Sequence, residues 1–188
     1  MADKNKIIIG IVGEIAAGKT TLTTYLKNKH NAQSARFSDS LRDILQRMYL
    51  SQTRANLQKI SQVLRENFGQ DVISKIMTTD IANNTAEVII TEGIRRPSDI
   101  TYLKETYKNN FYIIYIKTND RLRFDRLTKR SENPDDQTKT WEEFEEECNK
   151  EAEQKIKEIS LQADFAIDNN GEIEKMHEQV DEIIKKLQ

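Results

Sequence analysis

Eight residues near the N-terminus, Gly13-Glu14-Ile15-Ala16-Ala17-Gly18-Lys19-Thr20, have the spacing G-x-x-x-x-G-K-S/T. This pattern holds phosphate. Gly13 and Gly18 let the chain turn tightly enough to aim successive backbone N–H groups, those of Ala16 and Ala17 among them, into one concavity. A helix opening at Lys19 adds its partial positive charge to that anion site. Lys19 is expected to reach the β- and γ-phosphates, the Thr20 hydroxyl to ligate Mg2+, and Thr21 to touch the α-phosphate. The motif defines a nucleotide-binding class without separating kinases from GTPases or ATPases.

Other chemistry-bearing residues narrow the choice. An N/T-K-x-D guanine-reading sequence is absent. The apolar run at 87–91 ends in Thr91-Glu92-Gly93 rather than in an aspartate, so Glu92 is the candidate for a metal-bound water. No Gln or Glu stands where it would prepare a hydrolytic water, which lowers the standing of a regulatory ATPase or switch. Arginines cluster instead where strands end and helices begin: Arg42 after Phe37-Ser38-Asp39-Ser40-Leu41, and Arg95 after Glu92-Gly93-Ile94. Arg54 and Arg65, eleven residues apart, fall on one face of a helix. Guanidiniums converging on one crevice recognise a second phosphate-bearing molecule, so Arg42, Arg54, Arg65 and Arg95 are the candidate acceptor contacts. Asp39 is the candidate base, or the holder of a Mg2+-bound water. Arg126 and Arg130 share a helix face, the first placed to stack on adenine and the second to neutralise transferring phosphate charge.

The elements that must position these residues are legible from apolar patterning. Strands are expected at 6–12, 35–38, 87–91, 111–117 and 164–168, three of them almost continuously apolar, as parallel strands buried on both faces are. Helices are expected at 19–29, 40–49, 53–68, 71–81, 97–107, 120–129, 138–161 and 173–187, with a polar loop at 131–139. Alternation of this kind predicts an α/β fold with a parallel sheet and right-handed crossovers, its ligands bound at the carboxyl ends of the strands.

Composition sets the outer bounds. The 188 residues suit one domain, and three of the six glycines fall between positions 10 and 18. Lys and Arg total 29 against 31 Asp and Glu, a net charge of −2, which argues against a broad nucleic-acid-binding face. One cysteine and two histidines exclude a disulfide framework and a Cys/His zinc site. The longest apolar run is too short to span a bilayer, so a cytoplasmic protein, monomer or homodimer, with no membrane partner is expected.

Taken with FSDSLR (37–42), TRANLQKISQVLRENFG (53–69), EGIRRPSDI (92–100), RLRFDRLTKR (121–130), NPDDQTKTWEEF (133–144) and ADFAIDNNG (163–171), the phosphate loop resembles that of P-loop kinases of the nucleoside monophosphate kinase superfamily. The similarity is to the branch with dephospho-CoA kinases, deoxynucleoside monophosphate kinases and archaeal adenylate-kinase-like proteins. It implies a three-layer α/β/α fold with five parallel strands, ATP and Mg2+ as donor and metal, and a nucleotide acceptor enclosed by residues 40–81. A lid-like segment is implied at 131–150. By the same resemblance Arg126 packs on adenine, Asn169, Asn170 and Gly171 form a loop beside the base, and Arg130 reaches the ATP phosphates. Related lids carry arginines after the aromatic residue, where this chain has Glu145, Glu146 and Glu147.

Overall fold

A computed structural model describes residues 6–130 and 136–188. The chain runs β1 (Ile7–Val12), α1 (Lys19–His30), β2 (Gln33–Arg36), α2 (Asp39–Arg47), α3 (Arg54–Phe68), α4 (Val72–Asn83), β3 (Val88–Glu92), α5 (Pro97–Tyr107), β4 (Phe111–Lys117), α6 (Asp120–Lys129), α7 (Trp141–Cys148), α8 (Glu151–Ser160), β5 (Phe165–Asp168) and α9 (Ile173–Leu187). The five strands form one sheet, all neighbours parallel, in the order β2-β3-β1-β4-β5. Helices cover both faces, as the α/β reading requires.

Alternation along each strand builds two cores. Ile8, Val12, Ile89 and Ile113 point to one side and meet Leu41, Met77, Leu103 and Ile159. Ile9, Ile11, Ile90 and Ile114 point to the other and meet Leu22 and Leu26 of α1 with Val180 and Ile184 of α9. Both faces are therefore dry, which explains the unbroken apolar runs of β1, β3 and β4. Gly10 belongs to the first face, where a Cβ would come within 2.7 Å of Ile94 Cδ1 and 3.1 Å of Phe111 Cζ.

The helix expected over 138–161 is two helices. Thr140 caps α7, its hydroxyl accepting from Glu143 N at 3.3 Å while the Glu143 carboxylate accepts from Thr140 N at 2.9 Å. The break at Asn149-Lys150 separates two packing sites. Phe144 and Cys148 pack on Leu127 of α6, whereas Ile156 and Ile159 enter the main core. Lys150 is extended at φ −64° and ψ 150°, and that turn lets the chain reach both places. Of the lid-like segment, residues 131–135 lie outside the described residues. Trp141 anchors the described part, edge-on to Phe124 and beneath the Arg121 guanidinium. Among the described residues no helix is long and apolar enough to cross a membrane.

Candidate functional site

The phosphate loop joins β1 to α1, and its shape is held by carbonyls tied down on its outer side. Ile15 O accepts from Arg123 Nη1 at 3.0 Å. Ala17 O accepts from Thr118 Oγ1 at 3.0 Å and from Asn169 Nδ2 at 2.8 Å. A trans peptide points its C=O and N–H in opposite directions, so fixing these two carbonyls turns the amides of Ala16 and Gly18 the other way, into the concavity. Ala16 at φ 59° and Gly18 at φ 104° supply the left-handed turns this needs. At Gly18 a side chain would also collide with the Asn169 amide.

Lys19 folds back across the loop and donates to Gly13 O at 2.6 Å and Glu14 O at 2.8 Å. Burial pulls its ammonium down to about 8; the nearby Arg95 and Arg123 charges add to this, and Glu153 and Glu14 oppose it. A consequence is a pH-dependent affinity. Below pH 8 the lysine is charged and adds no pH dependence of its own to anion binding. Above it a proton must be taken up on binding, so affinity for a polyphosphate falls about tenfold per unit. Calorimetry in buffers of different ionisation enthalpy will register that uptake near pH 8.5, and Lys19→Arg will remove it.

Thr20 and Thr21 are exposed on the first turn of α1. Glu92 closes β3, its side chain 22% exposed, with Oε1 lacking any hydrogen bond and only Arg36 Nε nearby, at 3.6 Å. A buried carboxylate oxygen without a donor has the chemistry to accept from a metal-bound water, which keeps Glu92, with Thr20, a candidate for holding Mg2+. Asp39 fits it less well. It is exposed, it is the first residue of α2, and its Oδ2 accepts from Arg36 N at 3.0 Å.

Beyond the Gly18 end of the loop lies a cleft of about 180 Å³, lined by Gly18, Thr21, Arg126, Asn169, Gly171 and Ile173. Arg126 Nη2 donates to Asn169 O at 3.0 Å, while its Nη1 is buried without a partner. Burial lowers the pKa of this guanidinium. The structure thus brings Arg126 and Gly171 together beside the loop. Asn170 is turned away from the cleft, its side chain accepting from Asn119 N at 2.7 Å and donating to Asp168 Oδ1 at 2.7 Å; of the expected loop, Asn169 and Gly171 line the cleft.

The arginines divide. Arg95 and Arg54 are exposed, and Arg42 is half-buried with Nη1 donating to Gln52 Oε1 at 3.2 Å. Arg65 does not face the crevice. It is 5% exposed, pairs with Asp99 at 2.7 Å, and also donates to Gln70 O. The shared helix face with Arg54 holds, but the α3–α5 contact buries one end of that face. Arg130 Nε donates to Asp136 Oδ2 at 2.9 Å, and Asp136 is buried.

Three supporting residues, Thr118, Arg123 and Glu153, were not legible in the sequence. Thr118 follows β4, next to Asn169 at the end of the adjacent β5. Arg123 is 1% exposed, bonds Asp120 Oδ1 at 2.9 Å and Cys148 Sγ at 3.5 Å, and lies over Phe144. Its spacing three before Arg126 is the only sequence signal it carries. Burial raises the Cys148 thiol, with Arg123 opposing, so the thiol is inert. Glu153 meets the loop from α8, its Oε2 accepting from Ile15 N at 3.1 Å.

A nest of inward amides between a parallel strand and a helix, with a lysine across it and a cleft at one end, defines a P-loop nucleotide-binding protein of the kinase-like α/β/α fold. The sequence profile of the AAA domain family matches residues 9–154, and the chain belongs to that family. It is 29% identical to the UPF0200 protein of Thermococcus kodakarensis over 96% of this chain and 100% of that one. A UPF0200 protein of Methanothermobacter thermautotrophicus is 27% identical over 97% and 92%. Among solved structures, shikimate kinase from Bacteroides thetaiotaomicron superposes with a TM-score of 0.61 at 17% identity, covering 96% of this chain and 98% of that one. TT1252 from Thermus thermophilus gives 0.62 at 14%, covering 98% and 99%. These likenesses are of fold.

Proposed function

We propose that the protein transfers the terminal phosphoryl group of ATP to the phosphate of a nucleotide, a nucleoside or deoxynucleoside monophosphate. The observation that carries the reading is the pairing, on one loop, of a cleft walled by Arg126 with a Lys19 that spans the turn to Gly13 O and Glu14 O. The cleft takes the adenine and the loop amides take the phosphate tail. Arg95, with Arg42 and Arg54 on the acceptor side, would hold the second anion in line. An anionic phosphate oxygen of the acceptor attacks the γ-phosphorus, the bond to the β–γ bridging oxygen breaks, and ADP leaves; no general base is required. Thr20, and Glu92 through a water, would hold Mg2+, which would supply charge neutralisation for the phosphate tail.

The test is ADP formation from Mg·ATP with nucleoside monophosphates, deoxynucleoside monophosphates, dephospho-CoA and no acceptor. Turnover only with monophosphates supports the proposal. Slow hydrolysis indifferent to acceptor would indicate a regulatory ATPase instead.

A second reading, phosphorylation of a hydroxyl as in dephospho-CoA, is favoured by Asp39. Its carboxylate is held at the end of β2 by the Arg36 amide, poised to accept an alcohol proton. The two readings separate on one variant. Asp39→Asn is expected to lower kcat by about 10²–10⁴-fold if the acceptor is a hydroxyl and by much less if it is a phosphate, with KM for ATP unchanged in either case.

A further inference from the structure

Three helices converge on one dipeptide of the phosphate loop. Ile15 O accepts from Arg123 Nη1 of α6 at 3.0 Å, and Ile15 N donates to Glu153 Oε2 of α8 at 3.1 Å. The Ile15 and Ala16 side chains pack on the cluster of Leu127, Phe144 and Cys148, the last two from α7. Phe144 is 1% exposed, and the Arg123 guanidinium lies over its ring, 5.2 Å from the centroid. The ring thus supports the dipeptide by two routes, through the cluster and through the arginine that holds Ile15 O.

Ala16 is the residue that needs such support. Its φ of 59° lies in the left-handed region, where a Cβ crowds the following carbonyl oxygen. The other non-glycine residues of positive φ among the described residues, Asn31, Tyr49 and Lys108, close helices, a place where this backbone is common. Ala16 closes none. Its turn lies inside the phosphate loop, where it sets the direction of the amides on either side and so the shape of the anion nest.

We propose that Phe144 is a positioning residue for nucleotide binding. Buried behind the loop, it touches no nucleotide; it keeps Ala16 in the left-handed turn, and so sets how much ordering of the nest binding must supply. This rests on the nucleotide-binding reading of the loop and adds to it that the packing of α7 tunes affinity.

Calorimetric titration of the full chain with Mg·ADP tests this as a double-mutant cycle, Phe144→Leu being made in the unaltered chain and in the Ala16→Gly background. Leucine keeps the position apolar but loses the flat face under Arg123. Each protein is titrated well below its unfolding temperature. Phe144→Leu is expected to weaken binding about fivefold, the scale of one left-handed residue no longer held in place. Glycine takes this backbone without strain, so in the Ala16→Gly background the same change should cost less than about twofold. Arg123→Lys, which breaks the link between the ring and Ile15 O, goes through the same cycle with the same expectation. A Phe144 that serves stability alone would lower the unfolding temperature and leave Kd where it was, and that result overturns the proposal. Equal losses in both backgrounds, or tighter binding by Phe144→Leu, overturn it too, with the loop's role intact. An unaltered protein that binds neither Mg·ADP nor Mg·β,γ-imido-ATP would overturn the nucleotide-binding reading and this proposal with it.

Discussion

Lys19→Ala will reduce phosphoryl transfer by about 10²–10⁴-fold, whichever acceptor proves to be the substrate. The lysine spans the loop, with Gly13 O and Glu14 O as its resting partners. A polyphosphate offers it better acceptors, and the charge developing on the β–γ bridging oxygen in the transition state strengthens the attraction. Burial makes that gain large, since the same surroundings that pull the ammonium down to about 8 exclude the water that would screen it. The loss should fall mainly on kcat, with the far-UV spectrum unchanged, because Lys19 bonds only its own loop and the carbonyls it leaves can take water. Unaltered turnover in Lys19→Ala would remove the loop from the chemistry.

The second large effect is on stability. Asp99 is 2% exposed and serves three donors: Arg65 Nη2 at 2.7 Å, Arg95 N at 3.0 Å and Arg96 N at 3.0 Å. It caps α5 and neutralises a buried guanidinium at once. Asp99→Ala leaves Arg65 charged in a dry contact among α3, α4 and α5, and urea unfolding should show a loss of about 3–5 kcal/mol. Replacing both partners, Arg65→Met with Asp99→Leu, should recover much of that loss, because no uncompensated charge remains. The recovery will be incomplete, since the amides of Arg95 and Arg96 still lose their acceptor. If the single substitution costs no more than an exposed one, the pair contributes nothing to the fold.

The Arg65 result shows where a reading from sequence stops. Eleven-residue spacing correctly puts Arg54 and Arg65 on one helical face, but spacing is silent on what that face meets. Arg54 opens α3 in solvent, and Arg65 reaches the turn where α5 begins, beside Asp99. A guanidinium at a strand-end crevice and one in an internal ion pair look alike in one dimension. The same holds for 138–161. Its charge pattern is helical throughout, and the break at Asn149-Lys150 comes with two packing sites, one on Leu127 and one beside Ile8, that the pattern does not show.

Asn169 and Asn170 make the point within one dipeptide. Both follow β5, and the resemblance to P-loop kinases implies that the loop they form with Gly171 lies beside the base. Alternation across the strand end sends their side chains to different places, Asn169 to Ala17 O and the cleft, Asn170 to Asn119. Which of the two serves the nucleotide depends on the register of β5 against β4, where Lys117 lies beside Asp168.

What the sequence determined by itself is local and periodic. The phosphate loop follows from eight adjacent residues, and the parallel sheet follows from apolar runs separated by amphipathic helices, because backbone geometry and burial periodicity act over short stretches of chain. Only the tertiary structure decided which distant groups hold that loop open: Arg123 on Ile15, Thr118 and Asn169 on Ala17, and Glu153 on the Ile15 amide. Those contacts join residues more than a hundred positions apart, and such pairings come from how helices and strand ends pack rather than from any pattern along the chain.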